Sequence, residues 1–295
     1  MVEIRKASHA GTWYPRYEPD LINTMNELFI NEEFGPGDKP SVLNQKRTII
    51  GGLTPHAGYA YSGSCAAHTY LNLFKETIPD TVIILGTDHQ GYSKIGLMKE
   101  GTWETPLGNL EVDSELANQI LKNSDQIIED NSAFIGFPNE NEHNIEIQLP
   151  FIKYCSQEND VKIVPIKIAV MKDFNLMDEI ATDISKSIAQ LDKDIIILAS
   201  SDMSHKNVNG PSELKKFKTY DEEVLKNFEA IDPKKTLKAC LNTTVCGPQT
   251  ITTLLLTCQK LGVSKSKALK YYTSHDITGK SSGYCVGYFS GVLKY

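Results

Sequence analysis

Four short apolar runs rich in β-branched residues recur along the chain, at residues 48–53, 81–85, 161–168 and 194–199. Each lacks the strict alternation of a half-buried strand and ends in a polar or glycine-containing loop. That pattern predicts strands covered on both faces, at the centre of a sheet. Residues 268–273 and 284–293 read as two further strands. Helical periodicity fills the intervals, at 18–29, 64–74, 114–122, 144–156, 174–191, 212–230, 232–240 and 249–261. Several of these open on good start signals: Asp113 or Ser114 before Glu115, Asp232 before Pro233, and Pro248 just after Cys246-Gly247. Strand alternating with helix implies an α/β fold, a three-layer α/β/α sandwich around a largely parallel or mixed central sheet. No internal repeat appears. Structure signals vanish only at 35–44, where Gly, Pro, Asp and Ser cluster in the manner of a linker.

Length changes this picture little. A chain of 295 residues is within the range of one large open-sheet unit, so a single domain over 1–295 is expected. With 40% hydrophobic and 23% charged residues the composition is that of an ordinary globular protein. The formal charge of −7 and the absence of long like-charge runs remove the electrostatic footprint of a nucleic-acid binder. Glu3, Arg5 and Lys6 begin the chain with no apolar run behind them, and no segment approaches the ~18 apolar residues of a membrane span. The expectation is a cytoplasmic protein without membrane or nucleic-acid partners. Six cysteines, scattered without CxxC spacing, argue against a zinc ribbon or a disulfide framework.

The chemistry should lie at the carboxyl ends of the strands, where the connecting loops of an open α/β sheet converge. His56 follows the first strand, His89 the second, Asp202 and His205 the fourth, and His275 the fifth. A lone histidine such as His68, inside a helix, is by default a hydrogen-bonded structural ring. Imidazoles from several loops meeting at one sheet edge instead suit a transition metal, since neutral nitrogen donors bind Fe, Cu and Zn well.

The segments ASHAGTWYP, TPHAGYAYSGSCAAH, LGTDHQ, NEHNIEIQLPF, SSDMSHK and TVCGPQTI, taken in order along nearly the whole chain, resemble the Memo family. Memo proteins in turn look like the catalytic subunit of class III extradiol dioxygenases, which hold Fe(II) through two histidines and a glutamate. The resemblance implies that His56 and His89 stand for the two metal histidines and that Cys246 takes the third-ligand place. It also implies that Asp202 and His205 are a polar, acid/base pair beside the metal, and that His9 and His143 lie near the cleft. A thiolate where the dioxygenases offer a carboxylate shifts preference toward Cu(I), Zn or low-potential Fe and makes the site itself oxidisable. Ring-cleaving activity therefore does not transfer with the fold. The start of the helix after Pro248 is placed to stabilise a Cys246 thiolate.

His143 is expected to open a helix with Glu146 three residues on, on the same face, able to orient the ring or relay a proton. A helix-start histidine capped by Asn141 or Glu142 is the plain alternative. His9 with Trp13 and Tyr14 suits substrate stacking or simple packing, and Tyr59 and Tyr61 are placed to donate to a bound oxygen species or to act as lids. Three functions compete. The first is a redox enzyme with Fe(II) or Cu, acting on O2 or a small phenol-like substrate, in which His205, Asp202 and His143 handle protons. The second is a Zn hydrolase using the same residues. The third is a non-catalytic binder of a peptide or protein partner, since microbial relatives associate with radical-SAM and AMMECR-type proteins.

Overall fold

The computed structural model describes residues 3–295. The strands are β1 (Ile4–Arg5), β2 (Ile49–Thr54), β3 (Thr81–Gly86), β4 (Ile95–Leu97), β5 (Thr102–Trp103), β6 (Leu110–Glu111), β7 (Ile128–Glu129), β8 (Lys162–Ile168), β9 (Ile195–Ser200), β10 (His205–Asn209), β11 (Lys265–Thr273) and β12 (Ser282–Lys294). The helices are α1 (Glu18–Ile30), α2 (Ser64–Lys75), α3 (Ser114–Asn123), α4 (Leu149–Ser156), α5 (Phe174–Ala189), α6 (Pro211–Glu229), α7 (Pro233–Leu241), α8 (Pro248–Lys260) and α9 (Ser274–Thr278).

The main sheet runs β10-β12-β2-β9-β3-β8-β4-β7, with β11 also paired to β12. Its centre, β2-β9-β3-β8, is parallel, while β4 and β12 join it antiparallel, so the sheet is mixed. Every residue of β3 and β9 is buried, the outcome expected of uninterrupted apolar runs covered on both faces. Adjacent glycines on β2 show the two layers closing on the sheet. A β-carbon at Gly51 would lie 2.6 Å from Cys258 Sγ of α8, and one at Gly52 would lie 2.7 Å from Thr69 Cγ2 of α2. Only glycine admits such close approach on both sides. Thus α2, with α1 and α4, covers one face, and α8, with α3 and α5, covers the other, giving the sandwich.

All six expected strands are present within one to three residues of their expected ends. Beyond the expected six lie β4, β7, β10 and a small separate sheet of β1, β5 and β6. These are short or polar, and β10 reads HKNVN, with no apolar run to signal it. The segment expected as one helix from 144 begins instead as a 3₁₀ turn, Glu146–Gln148, and becomes α-helical only at Leu149, beside Pro150. Proline is at home in a first helical turn but not in a helix interior. Among the described residues no helix is long and apolar enough to cross a membrane.

Candidate metal centre

Sheet order brings the site together. Strands β2, β9 and β3 are neighbours and parallel, so the segments leaving their carboxyl ends, which carry His56, Asp202 and His89, emerge side by side. Cys246 enters from the turn before α8, which packs on the same strands. One ligand atom each from His56, His89 and Cys246 lie within 4.8 Å of one another.

The hydrogen bonds choose the tautomers. Ser200 Oγ donates to the Asn144 carbonyl (2.7 Å) and therefore accepts from His56 Nδ1 (3.0 Å). With the proton on Nδ1, the lone pair of His56 is on Nε2, which faces Cys246 Sγ at 3.1 Å. Glu142 does the same for His89: Oε1 takes Nδ1 at 2.9 Å while Oε2 accepts the His89 backbone N–H at 2.7 Å. A carboxylate or hydroxyl behind each imidazole is the arrangement that orients metal-binding histidines. Asp202 is not turned toward the cluster as a ligand but accepts the His56 backbone N–H at 2.8 Å.

Burial lowers His56 to about 4, against the opposing pull of Asp202, and it lowers His143 to about 3, so both rings are neutral near pH 7. Burial alone would raise Glu142, but hydrogen bonding and charge from His89 hold it at about 2. Burial would likewise raise Asp202, yet the neighbouring His56 and His205 keep it near 2. The thiol of Cys246 is pushed up, first by burial and then by the charge of Asp202. The amide that donates to its sulfur is that of Asp202, at 3.2 Å. Burial thus favours the thiol over a free thiolate at this position. Two imidazoles whose Nδ1 atoms are held by acceptors behind them and a thiol that ionises on coordination form a donor set chemically fit for a soft or borderline transition metal.

The model of the Memo-like protein family matches residues 5–292. The chain belongs to the Memo-like family. A MEMO1 family protein of Methanobrevibacter smithii is 36% identical over 99% of this chain and 100% of its own length. One of Desulfurococcus amylolyticus is 39% identical over 95% of each. An uncharacterized Escherichia coli K12 protein of known structure superposes with a TM-score of 0.53 at 14% identity, covering 81% of this chain and 99% of its own. That last likeness is one of fold.

Around the cluster, this Memo-like chain arranges its remaining motif residues unevenly. His143 stacks parallel on His89 (centroids 5.1 Å) and, inclined by 30°, on Trp13 (4.1 Å), and it stands edge-on to His56 at 5.3 Å. Glu146 does not serve His143 as expected. With residues 143–145 outside the helix, Glu146 turns to His9, holding Nδ1 at 3.0 Å, to the Tyr14 hydroxyl at 2.8 Å and to Arg5 at 3.0 Å. His143 lies instead beside Glu142, at 3.5 Å. The His205 ring is set between Asp202 (3.6 Å) and the Thr244 carbonyl (3.3 Å) and lies against Tyr284. Tyr59 commits its hydroxyl to the Ile147 carbonyl at 2.8 Å and packs on Tyr14 and Phe151. Tyr61, 47% exposed, borders a cavity of about 420 Å³ that also touches Trp13 and Ala57. His275 lines the same cavity from the start of α9, and neither ring nitrogen has a hydrogen-bond partner among the described residues.

These shifts predict an acid-sensitive metal-free protein. A histidine whose folded pKa is depressed leaves stability intact above the unfolded value of about 6.5. As pH falls below that value, the unfolded chain takes up a proton that the folded one refuses. The stability of EDTA-treated protein should therefore decline on acidification from 6.5 toward about 3, the folded value of His143. His143→Gln should make that decline shallower. Urea denaturation at pH 7 and 4.5 checks this, and equal pH slopes for the two proteins would contradict it.

Proposed function

We propose that His56, His89 and Cys246 bind one transition-metal ion, Fe(II) or Cu in preference to Zn, and that the protein is a redox enzyme acting on O2 or a small phenol-like substrate. The observation that carries the reading is the meeting of one ligand atom each from His56, His89 and Cys246 within 4.8 Å of one another, with each imidazole Nδ1 anchored from behind. A thiolate in the donor set favours Cu(I), Zn and low-potential Fe over the hard divalent ions, and reaction with O2 separates the redox metals from Zn. When bound, such an ion supplies one-electron chemistry toward O2 or an electron-rich ring. The chain supplies the rest. Asp202 draws His205 above the usual histidine value, against burial, which alone would lower it; Asp202 also accepts the His56 backbone N–H, so His205 stands one side chain away from His56, placed to hold or move a proton there. Trp13, stacked on His143, forms a shared wall between the histidines and the cavity of about 420 Å³, a volume suited to one small molecule.

The test is reconstitution of the metal-free protein with Fe(II), Cu(I) or Zn, followed by X-ray absorption at the metal edge and O2-uptake measurements. The expected result is one ion per chain, a sulfur scatterer near ~2.3 Å that disappears in Cys246→Ser, and O2 consumption by the Fe or Cu form but not the Zn form. A first shell of nitrogen and oxygen alone would return Cys246 to the role of a buried thiol. Inertness toward O2 with every metal would remove the redox assignment.

A further inference from the structure

A buried ammonium lies beneath the loop that carries His89. Lys167 is on β8, opposite Gly86 at the end of β3, and it is 1% exposed. Its Nζ reaches oxygens on three separate segments: Asp88 Oδ1 at 2.8 Å, Asn139 Oδ1 at 2.8 Å and the Ala133 carbonyl at 3.3 Å. Asp88 uses its other oxygen to gather the backbone N–H groups of Gly91 (2.7 Å) and Tyr92 (2.8 Å), which sets the turn that presents His89. Asn139 opens the short 3₁₀ turn Asn139–Asn141, closed by the Glu142 N–H on the Asn139 carbonyl at 3.0 Å. Glu142 then grips His89 through both its carboxylate oxygens. The contacts close a ring: Lys167 to Asp88, along the chain to His89, across to Glu142, back along the chain to Asn139, and again to Lys167.

Stability alone accounts poorly for this residue. An ammonium loses its hydration on burial, and buried ion pairs are often replaceable by apolar residues of similar volume without loss of stability. A methionine would fill the same space, but it could not hold the three acceptors in one arrangement. We infer that Lys167 is a positioning residue that fixes the His89–Glu142 pair, and through it the metal affinity of the centre, without touching the ion. The inference rests on the metal-binding reading above.

Co(II) titration of the metal-free full-length protein at pH 7 tests both and separates them. Wild type should bind with a thiolate-to-Co(II) charge-transfer band; absence of binding and band would overturn the metal reading, and this inference with it. Given wild-type binding, Lys167→Met should weaken Co(II) by ~10–100-fold, the range of losses behind a metal ligand, with an altered d–d spectrum. Asn139→Ala, a milder change at a half-buried position, should weaken it several-fold with little change in Tm. In Lys167→Met/Asp88→Asn the charge left unpaired by the single change is gone, so Tm should recover while affinity stays low. Wild-type affinity in Lys167→Met and Asn139→Ala, or affinity that recovers together with Tm in the double variant, would reduce Lys167 to a structural ion pair.

Discussion

His56→Ala and His89→Ala are each expected to lose stoichiometric metal while retaining the fold. A ligand deletion should exceed the ~10–100-fold loss typical of residues behind the ligands, because two donors then remain from a set of three. The fold survives for reasons specific to each position. The His89 side chain is 30% exposed and stands on a loop after β3, so its removal uncovers little core. His56 is buried, but truncation keeps the backbone N–H that Asp202 accepts, and Ser200 Oγ still receives a hydrogen bond from Gln148 Nε2 at 3.0 Å. The polar groups it leaves are therefore not stranded, and the stability cost should stay within about 1–3 kcal/mol. Metal per chain after dialysis, read beside circular dichroism, measures both parts. Wild-type metal content in the two variants would sink the site assignment.

Arg5→Met is expected to be the most destabilising single change away from the metal ligands, at about 3–5 kcal/mol. Arg5 and Glu146 are each 1% exposed and meet at 3.0 Å. Arg5 also donates to the carbonyls of Glu140 (2.6 Å) and Glu142 (3.2 Å), tying the start of the chain to the segment that carries Glu142 and His143. Burial would raise Glu146, but the hydrogen bond from His9 and the charge of Arg5 keep it below the usual carboxylate value. Without Arg5 the Glu146 value rises relative to the wild type, so the folded state holds the protonated acid more readily. The sign follows from linkage. Relative to wild type, Arg5→Met should regain stability as pH falls through the raised Glu146 value and lose it again toward neutrality. Arg5→Met/Glu146→Gln should recover much of the loss at pH 7, because no charge is then left unpaired. Urea denaturation gives each value, and a single-variant cost under about 1 kcal/mol would show that solvent already compensates Glu146.

The strands of the sheet core and the positions of His56 and His89 just beyond them are legible in the sequence, because burial on both faces forces uninterrupted apolar runs and those runs end where the loops begin. Family membership was legible in the motifs, and through them the candidacy of Cys246. Side-chain partnership was not. Glu146 sits three residues from His143 in a segment that looks helical, yet Pro150 delays the helix, and the carboxylate serves His9 and Arg5 instead. Glu142, the partner of His89, is 53 residues away in the chain, and Lys167 looks like any strand lysine until β8 is seen beneath the His89 loop. β10 is not legible in the sequence because a strand of five residues with only Val208 buried has no hydrophobic period. Local patterning records which side chains leave water. Which loops meet at the sheet edge depends on the order β2-β9-β3-β8, a property of the packed sheet that no window of the chain contains.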